Sequence, residues 1–242
     1  MGKIVWDNDG SRYYETGVDR VVIYVQNEAN AWNGVTAINE SPSGAEPSKI
    51  YADNIMYGVA MSPEEDAFTV EAYAYPDLFN KCIGRKELGT GAYLGQQQHV
   101  PFGLCWRTLV GNDKNSKAGY KLHIVPLLYS SSSEDSNSTI NDSPEQKTFS
   151  WSLTAIPVNI DDEHVTAVIV LDSRKFDKAG LWNALNAVED LLYGTESSRP
   201  KIVFPRDVFA VVTKSRMLLD NNGNSILDSL GDTLQTAVYK TA

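Results

Sequence analysis

Side chains able to bind metals or move protons are scattered along this chain without the spacing that such chemistry needs. His99 precedes a proline, His123 alternates within an apolar run and His164 follows three acids, and none belongs to an H-x-x-x-H pattern. The glycines of residues 89–95, GTGAYLG, stand at the wrong intervals for a dinucleotide-binding loop. We therefore expect no catalytic, metal-binding or cofactor-binding residues, no cofactor and no enzyme activity.

Two runs of acids come closest to a catalytic pattern. Residues 64–66 (Glu-Glu-Asp) and 161–163 (Asp-Asp-Glu) are where a glycosidase-like pair of carboxylates would lie. Both runs fall in turns between predicted strands, where solvated charge is the ordinary expectation. A carbohydrate-active enzyme stays an alternative hypothesis, and the 5 Trp and 12 Tyr residues leave a carbohydrate-binding β-sandwich module as another.

The net charge of −10 is concentrated near the N-terminus. Residues 1–80 contain 13 Asp and Glu against 4 Lys and Arg, whereas residues 81–242 contain 18 against 17. Binding to nucleic acid through its phosphates needs clustered Lys and Arg, so we do not expect this acidic chain to bind DNA or RNA in that way. The local acidity indicates either solubility or a surface that repels phosphates.

Composition is that of an ordinary globular protein, since 42% of the 242 residues are hydrophobic. No apolar run reaches the roughly 20 residues that cross a bilayer. The first 17 residues lack the pattern of a secretory signal, so we expect the chain to fold in a cytoplasm without a membrane partner. Cys82 and Cys105 lie among apolar residues and are expected to be buried free thiols.

Apolar periodicity predicts a mainly β, antiparallel fold with one clear helix. Gly194 is placed to cap a helix whose apolar stripe consists of Leu181, Leu185, Val188 and Leu192. A second, shorter turn of helix is predicted between Pro76 and Gly84. The predicted strands span residues 18–25, 67–75, 102–110, 120–129, 148–156 and 164–172.

The strand that begins at Phe149 alternates strictly between two kinds of side chain. One face carries Phe149, Trp151, Leu153 and Ala155, and the other carries Ser150, Ser152, Thr154 and Ile156. The first face belongs in a core. The second has no charge over eight residues, which favours contact with another protein surface over bulk water.

Three segments lie outside the predicted core. Residues 1–16 form an N-terminal arm, whose candidate anchors are Trp6, Tyr13 and Tyr14. Residues 130–146 form a long polar hairpin loop, whose candidate contact residues are Glu134, Asp135, Ile140, Asp142 and Glu145. Residues 206–242 form a C-terminal segment, for which an arm, a helix and a hairpin all stay open. The domain itself is expected over residues 17–205.

Four motifs, in this order, resemble the major tail tube protein of long-tailed, non-contractile bacteriophages and prophages. They are WNGVTAINESPSGAEPSKIYADNIMYG (32–58), TVEAYAYPDLFNKCIG (69–84), FGLCWRTLVGND (102–113) and STINDSPEQKTFSWSLTAIPV (138–158). The resemblance runs from about Gly17 to Gly194, and four motifs in register are more specific than any one of them. The chain departs from the family pattern beyond about residue 205.

The resemblance implies a β-sandwich flanked by one helix, whose inner sheet joins a ring-wide barrel in a hexamer. Such rings stack into a tube through which the phage genome passes without specific binding. The implied partners are further copies of the chain and the tape measure, tail terminator and distal tail proteins. The implied location is the virion tail, with the host cytoplasm during assembly.

A tube of this kind suggests roles for the acidic and aromatic residues. In the predicted strand at 67–75, Glu71 lies on the face opposite Val70 and Ala72, which makes it the best candidate for a carboxylate facing the lumen. Asp53 is the second candidate. The polar loop at 130–146 and the aromatic residues of the arm are candidates for contacts between subunits or between rings.

Overall fold

The computed structural model describes residues 4, 6–44, 46–62, 64–132, 135, 137, 139, 146–160, 164–179 and 181–216. Its strands, in chain order, are β1 (Tyr13–Val25), β2 (Glu28–Ala31), β3 (Val35–Glu40), β4 (Ser43–Gly44), β5 (Pro47–Ala52), β6 (Ile55–Met61), β7 (Glu64–Glu65), β8 (Ala67–Ala72), β9 (Lys86–Gly89), β10 (Ala92–Leu94), β11 (Phe102–Asn112), β12 (Gly119–Ser130), β13 (Phe149–Ala155), β14 (Val158–Asn159), β15 (Val165–Thr166) and β16 (Ile169–Asp172). The helical elements are a 3₁₀ turn at Asp77–Lys81, α1 (Ser173–Lys178), α2 (Trp182–Tyr193) and α3 (Pro205–Arg216). The prediction of a mainly β fold is confirmed.

One large antiparallel sheet organises the chain, in the order β2-β1-β11-β12-β13-β8-β3. Strand β12 is its pivot, because residues 121–124 pair with β16 whereas residues 128–130 pair with β13. The hydrogen bonding is therefore continuous from one edge strand to the other, and β12 changes its pairing partner along its length.

The two edge strands of this sheet, β2 and β3, are joined by only three residues, Trp32 to Gly34. A connection of that length spans at most about 14 Å. Two backbone hydrogen bonds hold it in place: Trp32 N–H donates to the carbonyl of Val21 at 2.8 Å, and Tyr73 N–H donates to the carbonyl of Gly34 at 2.8 Å. The two edges therefore come close together, and the sheet is curled on itself.

The inside of the curl is an apolar core rich in aromatic rings. The ring centroids of Trp32 and Phe79 are 4.6 Å apart, and those of Phe79 and Trp151 are 5.1 Å apart. The indole N–H of Trp32 donates to the carbonyl of Ala74 at 2.9 Å, which satisfies the one polar group that this ring brings into the core. Side chains from β1, β8, β11, β12 and β13 complete this inner core.

A second core lies on the outer face of β1, β11, β12 and β16, where the helices pack. The predicted stripe on α2 is confirmed, since Leu185, Val188 and Leu192 are fully buried. Gly194 ends the helix with a φ of 78°, and its N–H donates to the carbonyl of Asp190 at 3.0 Å. A β-carbon at Gly194 would lie 2.9 Å from the backbone nitrogen of Pro200, so this position requires glycine.

The helical part of the fold is larger than predicted. The structure has α1 and α3 beside the single α-helix expected, and the short helix expected after Pro76 is the 3₁₀ turn. Strand β16 leads directly into α1, whose N-cap is Asp172: its carboxylate accepts from the N–H of Arg174 at 3.1 Å. Helix α3 places Val208 in the outer core, so the first residues of the 206–242 segment are helical. Residues 217–242 lie outside the described residues.

Three predicted elements differ in extent. The strand predicted at 164–172 is divided into β15 and β16, because the hydroxyl of Thr166 accepts from the N–H of Val168 at 3.3 Å and forms a local turn. The strand predicted to reach residue 75 ends at Ala72, where the chain turns toward the edge connection. Strand β1 begins at Tyr13, within the segment expected to be an arm.

Replacing Leu185 by Ala should lower the free energy of unfolding by about 2 to 5 kcal/mol, because the side chain is fully buried and its loss leaves a cavity. Urea denaturation followed by circular dichroism measures the change. Asn183→Ala, on the exposed side of the same helix, is the matched control and should change stability by less than about 0.5 kcal/mol. Equal small effects for both variants would contradict the packing of α2 on the sheet.

Candidate assembly surfaces

The alternation predicted from Phe149 onward is present in β13. Trp151, Leu153 and Ala155 are buried, whereas Ser150 and Ser152 are exposed. Across the ladder, Ser150 lies opposite Glu71 and Ser152 lies opposite Thr69. We call the surface formed by Ser150, Ser152, Thr154, Thr69 and Glu71 the hydroxyl face.

The hydroxyl face is on the outside of the curl, at a distance along the sheet from the helices, which pack over β1, β11, β12 and β16. Glu71 is half-buried there, while Val70 and Ala72 are fully buried in the inner core. The carbonyl of Glu71 accepts from the Thr36 hydroxyl at 3.1 Å, which ties β8 to the edge strand β3. The face therefore carries hydroxyls and one carboxylate on a regular part of the sheet.

Asp53 lies elsewhere, at the tip of a separate two-stranded hairpin formed by β5 and β6. Asp53 and Asn54 have φ values of 51° and 64°, the two consecutive positive values that a type I′ turn requires. The hairpin is inserted between β3 and β8 and belongs to its own sheet. The two candidate lumen residues thus lie on different surfaces of the subunit.

The hairpin exposes large apolar side chains on both of its faces. Tyr51, directly opposite Met56, is 65% exposed, and Tyr57 is 77% exposed. Other apolar side chains of the hairpin that are at least 48% exposed are Ile50, Ile55, Met56, Val59 and Met61. An isolated two-stranded hairpin is marginally stable in water, and a contiguous exposed apolar patch marks an interaction site. No strands were predicted over this hairpin, although most of it lies in the family-like motif at residues 32–58.

The N-terminal segment is tied to the turn between β11 and β12. Gly10 N–H donates to the carboxylate of Asp113 at 2.9 Å, and the side-chain amide of Asn112 donates to the carbonyl of Gly10 at 3.0 Å. Trp6 is 74% exposed. Tyr13 and Tyr14 lie in β1 instead of in an arm, because they pair with Asn112 and Gly111 of β11.

The long polar loop is described only in part. Glu134, Ile140, Asp142 and Glu145 lie outside the described residues, as does the acidic run at 161–163. Asp135 is paired within its own chain: its carboxylate contacts the ammonium of Lys147 and lies 3.5 Å from the guanidinium of Arg85. The hydrogen bond from Lys147 holds the pKa of Asp135 below its ordinary value. This part of the loop is therefore attached to the subunit that carries it, and its role between rings stays a prediction.

A cluster of titratable groups lies at the root of the hairpin and was not foreseen from the sequence. The imidazole of His123 stacks on Trp106 with centroids 5.1 Å apart, and its Nε2 is 3.1 Å from the hydroxyl of Thr108. Its Nδ1 lies 3.5 Å from a carboxylate oxygen of Glu40 but makes no hydrogen bond. Glu40 is the last residue of β3, so this contact joins the root of the hairpin to the body of the sheet.

Burial controls the protonation of this cluster. It lowers the pKa of His123 below its ordinary value, with the ammonium of Lys121 adding to the effect and the carboxylate of Glu15 opposing it. Burial also raises the pKa of Glu40, with the charges of Asp66 and Glu15 adding to the effect. Because the pKa of His123 is lowered from 6.5, its imidazole is uncharged at neutral pH, and its contact with Glu40 is not an ion pair there.

Neither thiol is reactive. Cys82 and Cys105 are buried and free, as predicted, and burial raises the pKa of each to about 12.

No group of three or more His, Cys, Asp or Glu residues is arranged to hold a metal ion in the described ranges. Over the same part of the chain, no helix is long and apolar enough to span a bilayer. The chain matches no protein-family model and no curated protein.

We expect stability to fall as the pH drops from 6.5 toward 5. The pKa of His123 is lowered in the folded state, so the unfolded state binds the proton more readily. The free energy of unfolding is therefore unaffected by this proton above pH 6.5. Below pH 6.5 it falls, by at most about 1.4 kcal/mol per pH unit for one proton. Urea denaturation at several pH values measures the slope.

His123→Gln keeps a partner for Thr108 and cannot titrate, so its slope should be smaller than that of the parent. Glu40 acts with the opposite sign, because its raised pKa costs stability as the pH rises above 4.5. The comparison is therefore made between the two proteins at each pH. Parallel slopes would show that His123 titrates in the fold as it does in the unfolded chain.

Proposed function

We propose that this chain is the repeating structural subunit of a phage tail tube, built from stacked hexameric rings through which DNA passes. The observation that carries the proposal is the β5–β6 hairpin, whose apolar side chains are exposed on both faces. The order of the four tail-tube-like motifs along the sequence supports the same conclusion.

The exposed hairpin makes the isolated subunit incomplete. Burying a large apolar side chain is worth about 1.5 to 3 kcal/mol, and seven such side chains project from this one ribbon. A ribbon with two uncovered faces needs partners on both sides. Contacts with further copies of the chain supply them, and a repeating contact of that kind produces an assembly.

The curled sheet offers a second means of association. Its edge strands β2 and β3 each have a neighbour in the sheet on one side only. Unpaired edges invite pairing with another chain, and closure into a ring removes them. In the proposed ring, the half of the sheet that carries β13, β8 and β3 joins its counterparts as the inner layer of a sandwich, and the helices lie outside.

The hydroxyl face then lines the lumen. Its side chains are small and uncharged except for Glu71, so it presents no cation to which a phosphate would bind. With a net charge of −10 per subunit, six subunits give a ring of −60, which repels DNA from the wall. Asp53, at the tip of the hairpin, belongs to the contact between subunits in this arrangement.

Assembly tests the proposal directly. The purified chain should form rings or tubes in negative-stain electron microscopy and sediment far above its monomer mass of 26.7 kDa. Replacing Tyr51 and Tyr57 by Ser should leave the circular dichroism spectrum intact and abolish assembly, because the apolar contact is lost.

Tyr93→Ser is the matched control, since Tyr93 is an exposed tyrosine of a different hairpin, at 44% exposure, and this variant should still assemble. A parent chain that stays monomeric at all concentrations would overturn the tail tube proposal. Binding of that monomer to glycan arrays would favour the carbohydrate-binding alternative.

Replacing Glu71 by Lys should permit tube assembly and retard DNA. The cation would stand on the lumen wall and attract phosphates, and the effect should weaken as salt screens the attraction. Phage carrying the variant gene are scored for intact tails by microscopy and for DNA ejection in vitro at increasing ionic strength. Glu196→Lys, the same charge change at an exposed carboxylate outside the hairpin and the hydroxyl face, is the matched control for non-specific effects on ejection. Normal ejection with Glu71→Lys at low salt would remove Glu71 from the wall.

A further inference from the structure

A groove of about 680 Å³ opens beside the turn between β11 and β12, on the side of the subunit where α1 begins. Its walls include the aromatic rings of Tyr13 and Trp182, which are 48% and 42% exposed. Its charged lining consists of the cations Lys117, Arg174 and Lys178 and one carboxylate, Asp177. The groove therefore combines exposed aromatic surface with cations.

The side chain of Arg174 lines the groove and is held in one position by its neighbours. Its guanidinium is held by the carboxylate of Asp172 at 2.6 Å and lies 4.5 Å from the centroid of the Tyr13 ring. Its aliphatic stem crosses Gly119, where a β-carbon would lie 2.5 Å from Cγ of Arg174. The hydroxyl of Ser173 accepts from the N–H of Tyr120 at 2.9 Å and ties α1 to β12. The site is thus shaped before any partner arrives.

The two lysines differ from Arg174 in having no carboxylate of their own. Lys117 and Lys178 are exposed, and neither ammonium forms an ion pair with any residue that the structure describes. Three other cations beside the groove are paired with carboxylates, Lys114 with Asp9, Lys121 with Glu15 and Arg174 with Asp172. Lys117 and Lys178 are therefore the lining cations that a partner's carboxylates can meet.

The segment that carries the β5–β6 hairpin is acidic beside the hairpin. The hairpin itself, residues 47–61, contains one Lys and one Asp, whereas Glu64 and Glu65 form β7 shortly after it. Both glutamates are exposed and make no ion pair within the described part of the chain. The same segment supplies the exposed tyrosines and methionines that an aromatic groove would bury.

We propose that this groove receives the β5–β6 hairpin of a second copy of the chain. The apolar side chains of the hairpin pack on Tyr13 and Trp182, and Glu64 and Glu65 of β7, close to the hairpin in sequence, face Lys117 and Lys178. The hairpin and the groove are different patches of one subunit, so the contact is heterologous. Contacts of that type repeat from copy to copy and produce closed rings or continuous filaments in place of simple dimers. The inference rests on the proposed function and names the surface that accepts the hairpin.

A charge exchange tests the pairing. Lys117→Glu with Lys178→Glu should abolish assembly, and so should Glu64→Lys with Glu65→Lys, as measured by sedimentation velocity and negative-stain microscopy. A chain that carries all four substitutions should assemble again, because opposite charges face each other once more. Circular dichroism and urea denaturation confirm that each variant is folded.

Lys86→Glu with Lys201→Glu is the matched control, because these lysines are exposed, lie outside the groove and make no ion pair with described residues. It should assemble like the parent. Normal assembly of the Lys117 and Lys178 variant would overturn the groove as the acceptor while leaving the tail tube proposal intact, as would a folded but unassembled chain with all four substitutions. Failure of the parent itself to assemble would overturn both.

Discussion

The structure depends on one constraint, the closure of the curled sheet at Trp32. This residue stands between the two edge strands, and its indole is held by a hydrogen bond to Ala74 and by the rings of Phe79 and Trp151. If the connection at Trp32 were longer or unanchored, β2 and β3 would separate and the inner aromatic core would open to water. The position of the hydroxyl face, and of the hairpin that follows β3, is set by the same closure.

The chain also divides its outer surface unequally. The helices cover the half of the sheet that includes β1, β11, β12 and β16, and they bury an apolar layer beneath them. The half that includes β8 and β13 is left with small hydroxyl side chains on a regular ladder. In the tube that we propose, the covered half would pack under its own helices and the polar half would face the water-filled channel. The contact between His123 and Glu40 links the covered half to the root of the hairpin.

Sequence patterns predicted the elements that bury one face and expose the other. The stripe from Leu185 to Leu192 and the alternation along β13 both have a period that identifies the buried face, and both are found in the structure. The β5–β6 hairpin has no buried face, so its apolar residues show no useful period. Its one local signal is the Asp53-Asn54 pair between two apolar runs. The cluster around His123 was beyond sequence reasoning. Its contacts with Trp106 and Thr108 depend on the register of β11 against β12, and only the curl brings Glu40 of β3 to it.

The net charge of the chain and its exposed apolar hairpin act on an approaching second copy over different distances. Two newly made subunits repel each other through their net charge of −10 over about 8 Å at physiological ionic strength, while their apolar ribbons attract only at contact. For the assembly that we propose, a repulsive barrier in front of a short-range attraction would make the first encounter slow and later additions favourable once several contacts form together. Growth would then depend on a nucleus, and the number of nuclei would determine how many polymers share the available chains.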